Sequence, residues 1–174
     1  MDLLSGAHLH LLVNHVPILG AVFALGLLVA SYLWTPDALR RTAMVVLIGT
    51  ALAGAASDLS GDPAVAAVRG LPGVRRDIIR AHEQMAGTAL IAGGLLGVLA
   101  LGALARWRRH PVPARAAHVI TLGAVVVSGL MAYVGLLGGR IRHTEVRSGA
   151  AQSDAMTIES PRVPATSAAK QAGP

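Results

Sequence analysis

Long apolar blocks separated by polar segments dominate the sequence. Four of them cover about residues 16–34, 42–57, 84–105 and 116–138. Because an α-helix rises about 1.5 Å per residue, blocks of this size suit the hydrocarbon layer of a bilayer. Lipid offers no partners to backbone N–H and C=O groups, so the spans must be helices. The pattern predicts an all-α fold, an integral membrane four-helix bundle formed by residues 1–147.

The segments between the blocks differ in length and charge. The second block is short for a span, and we expect its helix to begin near Pro36, because proline suits the first turn of a helix. The loops 35–41 and 106–115 are short and rich in arginine. Residues 58–81 predict a short surface helix and then an approach into the third span. The small, polar tail from 148 to 174 predicts disorder.

Composition supports a membrane protein and excludes several kinds of site. The chain is 53% hydrophobic and 14% charged, against about 25% charged in a typical soluble domain. It has no cysteine, which excludes disulfides, iron–sulfur clusters, thiolate metal sites and covalently attached haem. The net charge of +6 comes from arginines beside apolar spans, which predicts contact with lipid headgroups and not with nucleic acid. Glycine and alanine are abundant in the blocks and predict close helix packing.

Histidines mark the ends of the blocks that an up-and-down bundle brings to one side of the membrane. They are His10, His15, His82 and His143. Imidazoles from several helices at one depth are suitable ligands for haem iron or for a transition metal. His15 and His82 each open a block with the pattern His-x4-Gly, which favours these two as an axial pair. His10 and His143 form a candidate second pair.

The spacing around His15 constrains this site. On one continuous helix, His10 and His15 point about 140° apart, so they serve different ligands unless the helix breaks between them. Pro17 supplies a candidate break, because it cannot donate to the carbonyl of Val13. Asn14 is a candidate cap for the helix that follows.

Charged residues near the histidines are candidate supporting groups. Arg140 and Arg142 are expected to pair with anionic groups such as haem propionates or lipid phosphates. Glu145 is expected to orient His143, and Glu83 lies beside the histidine of the third span. Three further residues were considered: His110 is expected to be solvated, His118 lies at the opposite side, about 30 Å away by helix rise, and Asp58 is a candidate for capping or proton handling.

Three motifs carry a family resemblance. They are His10-x3-Asn14-His15-x-Pro17, which contains NHxP, then Ala81-His82-Glu83, and GGxIRHxE from Gly138 to Glu145. Together they resemble a family of small bacterial four-helix integral membrane proteins. The resemblance covers the chain apart from its tail, and implies a multipass protein of the bacterial inner membrane with a histidine-rich site on the outer face. The design is also similar to small b-type cytochrome membrane subunits.

Three functions fit these features. The first is a haem b electron carrier that exchanges electrons with quinol or a redox membrane complex. The second is a non-haem copper, zinc or iron site used for sensing, transport or catalysis. The third is a structural subunit of a larger membrane complex. An aromatic content of only 3% weighs against packing a porphyrin, and the sequence leaves open whether the protein is an enzyme.

The arginines give a weak indication of orientation, because they divide almost evenly between the two sides. No basic residue precedes Arg40, so a signal peptide is not expected and the first block should remain as a helix. Basic residues soon after that block favour cytoplasmic short loops. The prediction is that both termini and the histidines face outward.

Overall fold

Six helices make up the part of the chain that the structure describes. The computed structural model covers residues 6–34 and 36–143, and the predicted disordered tail lies outside them. The helices are α1 (Gly6–Val13), α2 (His15–Ala30), α3 (Pro36–Leu59), α4 (Gly61–Val68), α5 (Arg76–Arg106) and α6 (Ala114–Arg142). No strand occurs among these residues, so the all-α prediction is confirmed.

Four helices are long and apolar enough to cross a membrane. The segments are His8–Ala30, Asp37–Leu59, Arg76–Arg106 and Ala114–Arg142. Large apolar side chains are exposed along them, including Leu19, Leu52, Leu95 and Leu122. A bilayer removes such side chains from water, whereas a soluble protein would leave them hydrated. The chain is therefore a multipass membrane protein, and the short surface helix expected in residues 58–81 is α4.

The candidate break near Pro17 corresponds to a boundary between two helices. Helix α1 ends at Val13 and α2 begins at His15, which puts Pro17, buried, in the first turn of α2, a position that proline suits. Helical geometry nevertheless continues through Asn14, which has φ −64° and ψ −23° and whose backbone N–H donates to the carbonyl of His10 at 2.9 Å. The Asn14 side chain makes no capping hydrogen bond. Helices α1 and α2 therefore form one span.

The four spans form a bundle in which sequence neighbours pack side by side. The principal neighbours of α2 are α3 and α6, and these two helices also flank α5. Helices α2 and α5 therefore lie on one diagonal of the bundle. The short helices α1 and α4 pack on each other at one end. Successive spans run in opposite directions, so the start of α2 and α5 and the end of α3 and α6 share that end.

Small residues allow the helices to touch. A Cβ added at Gly97 of α5 would lie 2.8 Å from Cβ of Ala51 on α3. One added at Gly123 of α6 would lie 2.7 Å from Cδ1 of Leu96 on α5. At Gly97 the neighbours are Cβ of Ala51 and the α3 backbone, which cannot easily move, so this position requires glycine. At Gly123 the neighbour is the end of the Leu96 side chain, which can rotate away. The helices therefore pack closely at these two glycines.

One end of the bundle is fastened by polar side chains at the start of α3. Arg41 donates to the carbonyl oxygens of Trp107 and His110, each at 2.7 Å. Asp37 accepts from the backbone N–H of Val112 at 2.7 Å and from Nε of Arg41 at 2.7 Å. These bonds satisfy backbone groups that follow the last turn of α5. This end is called the arginine end below.

Candidate functional site

The histidines of the sequence prediction lie at the end opposite the arginine end. His10 precedes the first long helix, His82 lies two turns into α5, and His143 follows α6 directly. His15 begins α2. The up-and-down order of the spans places all four at the same end of the bundle. We call it the histidine end, and the predicted grouping of these residues at one side is in accord with the fold.

His10 joins the first span to the end of α3. Its ring is half-buried, and Nδ1 lies 3.1 Å from the carbonyl oxygen of Ser57 and 3.1 Å from Oγ of Ser60. The Ser60 hydroxyl donates to the same carbonyl at 2.8 Å, so its oxygen is available to accept from the imidazole. Two acceptors at Nδ1 favour a proton on that nitrogen.

His82 joins α5 to α6. Its ring is half-buried, and Nδ1 lies 3.1 Å from the carbonyl oxygen of Val134. Its Cε1 lies only 3.3 Å from the place a Cβ on Gly138 would occupy. Helix α6 continues through Gly138 and Gly139, so the first glycine makes room for the imidazole and does not bend the chain.

His15 faces away from this pair. Its ring is exposed, and Nδ1 lies 2.8 Å from the carbonyl oxygen of Leu11, one turn earlier on the same helix. The rings of His10 and His82, by contrast, are both half-buried at this end of the bundle. The continuous helix separates the directions of His10 and His15, as its periodicity requires. His10 and His82 are thus the two histidines of the described residues whose side chains are half-buried.

The hydrogen bonds fix which ring nitrogen can bind a metal. A backbone carbonyl only accepts, so a neutral imidazole with Nδ1 beside one must carry its proton there. This holds for His10, His15 and His82. The lone pair is then on Nε2, the arrangement usual for a histidine that ligates iron through one nitrogen and is oriented through the other.

The remaining predicted site residues lie around this pair without joining it. The backbone N–H of His143 donates to the carbonyl of Gly139 at 3.0 Å, and its side chain is exposed. Arg140 is half-buried, whereas Arg142 and Glu83 are exposed. Glu145 lies outside the described residues, so its bond to His143 stays a prediction. In residues 6–34 and 36–143, no three His, Asp or Glu side chains form a group that could hold a metal ion.

Asn14 also departs from its expected role. Its Oδ1 is buried and finds no hydrogen-bond partner among the described residues. The side chain thus does not cap α2. A buried amide oxygen without a donor lowers stability, because its hydration is lost without replacement.

A polar cluster near the arginine end was missed by the sequence analysis. The ring of Tyr32 stacks on that of His118 with centroids 5.1 Å apart and an angle of 11° between the planes. The Tyr32 hydroxyl lies 3.0 Å from Oγ1 of Thr121, and the Arg40 guanidinium lies 5.8 Å from the ring centroid. Arg40 also donates to the carbonyl of Val112 at 2.9 Å. The pairing of α2 with α6 creates this cluster.

Comparison with known proteins adds no relative. No family model matches the chain, and neither the curated proteins nor the solved structures compared with it give a match. What is established is the four-span membrane architecture and the arrangement of side chains at its two ends. The family resemblance of the NHxP and GGxIRHxE motifs stays an expectation.

Proposed function

We propose that the protein binds haem b at the histidine end, with His10 and His82 as axial ligands, and transfers electrons in the membrane. One observation carries the proposal. Both rings are half-buried, both present Nδ1 to a backbone carbonyl, and both are thereby oriented with Nε2 as the ligating atom. This revises the axial pair predicted from the sequence, because His15 is exposed and hydrogen-bonded to its own helix.

The number of available ligands favours haem over a metal bound by protein alone. Zinc, copper and non-haem iron usually take three or four protein ligands. Haem iron receives four nitrogens from the porphyrin and needs only one or two from the protein. In the described residues, no third His, Asp or Glu is grouped with the two half-buried imidazoles. Two protein ligands suit haem iron better than a metal bound by protein side chains alone.

The packing limits where a porphyrin can lie. The close contacts at Gly97 and Gly123 leave little room beside these glycines, and the half-buried imidazoles favour the histidine end as the place for the macrocycle. Arg140 and Arg142, in the last turn of α6, are suited to pair with its propionates. When bound, haem supplies one-electron redox chemistry. His10 and His82 would hold the iron, while Ser57, Ser60 and Val134 orient their rings.

The partner and the location belong to the same proposal. Quinol or a redox membrane complex is the expected electron donor, because the site opens at the bilayer surface. The motifs imply a bacterial inner membrane. Arg40 and Arg41, soon after the first span, favour a cytoplasmic arginine end and therefore a histidine end that faces outward.

The test is haem content per folded chain, measured from reduced-minus-oxidised absorption spectra of the purified protein. His10→Ala and His82→Ala should each remove most of the haem. His15→Ala and His110→Ala should retain it, and thermal unfolding should show that all four variants are folded. If His15→Ala loses haem and His10→Ala retains it, the ligands are His15 and His82, the pair predicted from the sequence. Absence of a b-type spectrum after haem is supplied during expression would overturn the haem proposal.

A further inference from the structure

A basic cleft lies at the histidine end, apart from the histidine pair. Its volume is about 230 Å³, and its walls are Arg69, Arg76, Ile79, Arg80 and Glu83. Liquid water takes about 30 Å³ per molecule, so the cleft can accommodate a phosphate group. It is formed where the end of α4 meets the first two turns of α5.

The charge of the cleft is strongly positive. Arg76 and Arg80 are one helical turn apart and project from the same face of α5, while Arg69 follows the last residue of α4. Three guanidinium groups therefore face one carboxylate, that of Glu83. The neighbouring Arg75 does not line the cleft, because its Nε donates to Asp77 at 3.0 Å. Three positive charges against one negative charge leave the cleft with a net positive charge, which attracts an anion and is partly neutralised by one phosphodiester.

The position of the cleft indicates what that anion is. Arg76 and Arg80 lie at the start of a helix apolar enough to span the bilayer, which is the level of the lipid headgroups. Ile79, buried between them, gives the cleft an apolar floor. Exposed Leu59 and Leu71 precede and follow α4 and can contact acyl chains. Arginine binds phosphate oxygens through paired N–H groups, and basic pockets at this depth bind anionic lipid.

We propose that this cleft is a binding site for one anionic phospholipid of the phosphatidylglycerol class. The arginines bind the phosphodiester. Glu83 has only acceptor oxygens, so it binds a hydroxyl of the glycerol headgroup and disfavours a second negative charge. A choline headgroup offers neither a net charge nor a hydroxyl donor, so phosphatidylcholine should not replace this lipid. The assignment does not depend on whether haem binds at the histidine pair.

The experiment compares lipid binding by the full chain purified in detergent. Native mass spectrometry counts bound phosphatidylglycerol against phosphatidylcholine, and thermal unfolding is followed with each lipid and with inorganic phosphate. One phosphatidylglycerol per chain should be retained and should raise the unfolding temperature. The double variant Arg76→Ala/Arg80→Ala should bind it about tenfold more weakly or worse, because charged hydrogen bonds are lost.

The matched control removes the same charge at the arginine end. Arg108→Ala/Arg109→Ala should bind phosphatidylglycerol like the wild type, since both residues are exposed and lie far from the cleft. Equal weakening in the two double variants would overturn the site, and so would equal protection by phosphatidylcholine or by inorganic phosphate. Haem content should be the same in both. If haem is lost only in Arg76→Ala/Arg80→Ala, the lipid assignment is overturned, because Arg76 and Arg80 would then bind the haem propionates.

Discussion

At the scale of single residues, the space beside His82 depends on one missing methyl group. The ring lies so close to the α6 backbone that a Cβ at Gly138 would come within 3.3 Å of Cε1. The neighbouring Gly139 has nothing within 4 Å of its own added Cβ. Two adjacent glycines in one helix therefore have different roles, and only the first positions the candidate ligand.

This difference predicts unequal effects of two alanine substitutions. Gly139→Ala should leave stability unchanged or raise it by up to about 1 kcal/mol, because alanine is the better helix former. Gly138→Ala should lose that benefit, displace the imidazole and weaken its hydrogen bond to Val134. The measurement is thermal unfolding together with haem content. Equal behaviour of the two variants would show that the ring does not need the space.

Single residues also show what the sequence could and could not reveal. The His and Gly-Gly motifs correctly singled out His82 and Gly138 as residues at one end of the bundle. The choice between His10 and His15 was not readable, because it depends on α1 continuing through Asn14 into α2. The hydropathy of the sequence does not indicate whether helical geometry continues from α1 through Asn14 into α2. Pro17 indicated a boundary near Asn14, but not that helical dihedral angles would continue through it.

At the scale of elements, the apolar blocks identified all four spans but not their ends. Helix α5 begins at Arg76, eight positions before the apolar block from residue 84, because its first turns carry charges beyond the apolar part of the span. Those turns hold His82 and the basic cleft. Which helices pack together was also hidden, since Tyr32 and His118 meet only because α2 neighbours α6.

Helix contacts predict where a large residue is tolerated. Gly97→Leu should force α5 away from Ala51 of α3 and lower the free energy of unfolding by about 1–3 kcal/mol, the usual cost of overpacking. Gly102→Leu on the exposed side of the same helix has nothing within 4 Å and should be tolerated. Reversible denaturation in mixed micelles measures both. A comparable loss of stability in Gly102→Leu would mean that these glycines affect stability through the helix backbone and not through contacts with neighbouring helices.

At the scale of the whole molecule, the two ends differ in chemistry. The arginine end is held by charged side chains bonded to backbone carbonyls, whereas the histidine end carries imidazoles bonded to backbone carbonyls and a basic cleft. Membrane topology decides which of these faces the cytoplasm. The sequence favoured a cytoplasmic arginine end, because Arg40 and Arg41 follow soon after the first span.

Reporter fusions test this arrangement. Fusions at Asp37 and His110 should report the same side of the membrane, and a fusion at Ser148 the opposite one, because an even number of spans separates the first two and an odd number separates either from the third. The same result for all three positions would rule out four spans. A cytoplasmic signal at Ser148 would keep the spans and reverse the orientation.

The fastening of the arginine end sets the order in which the protein can mature. Arg41 lies in the first hairpin, formed by α2 and α3, but donates to carbonyls that follow α5 in the second hairpin, formed by α5 and α6. It therefore cannot make these bonds before α5 has been inserted. At the histidine end, by contrast, His10 bonds to α3 and His82 bonds to α6, so each of these bonds lies within one hairpin. The bonds of Arg41 instead connect the first hairpin to the second, and they can form only when both hairpins are in the membrane.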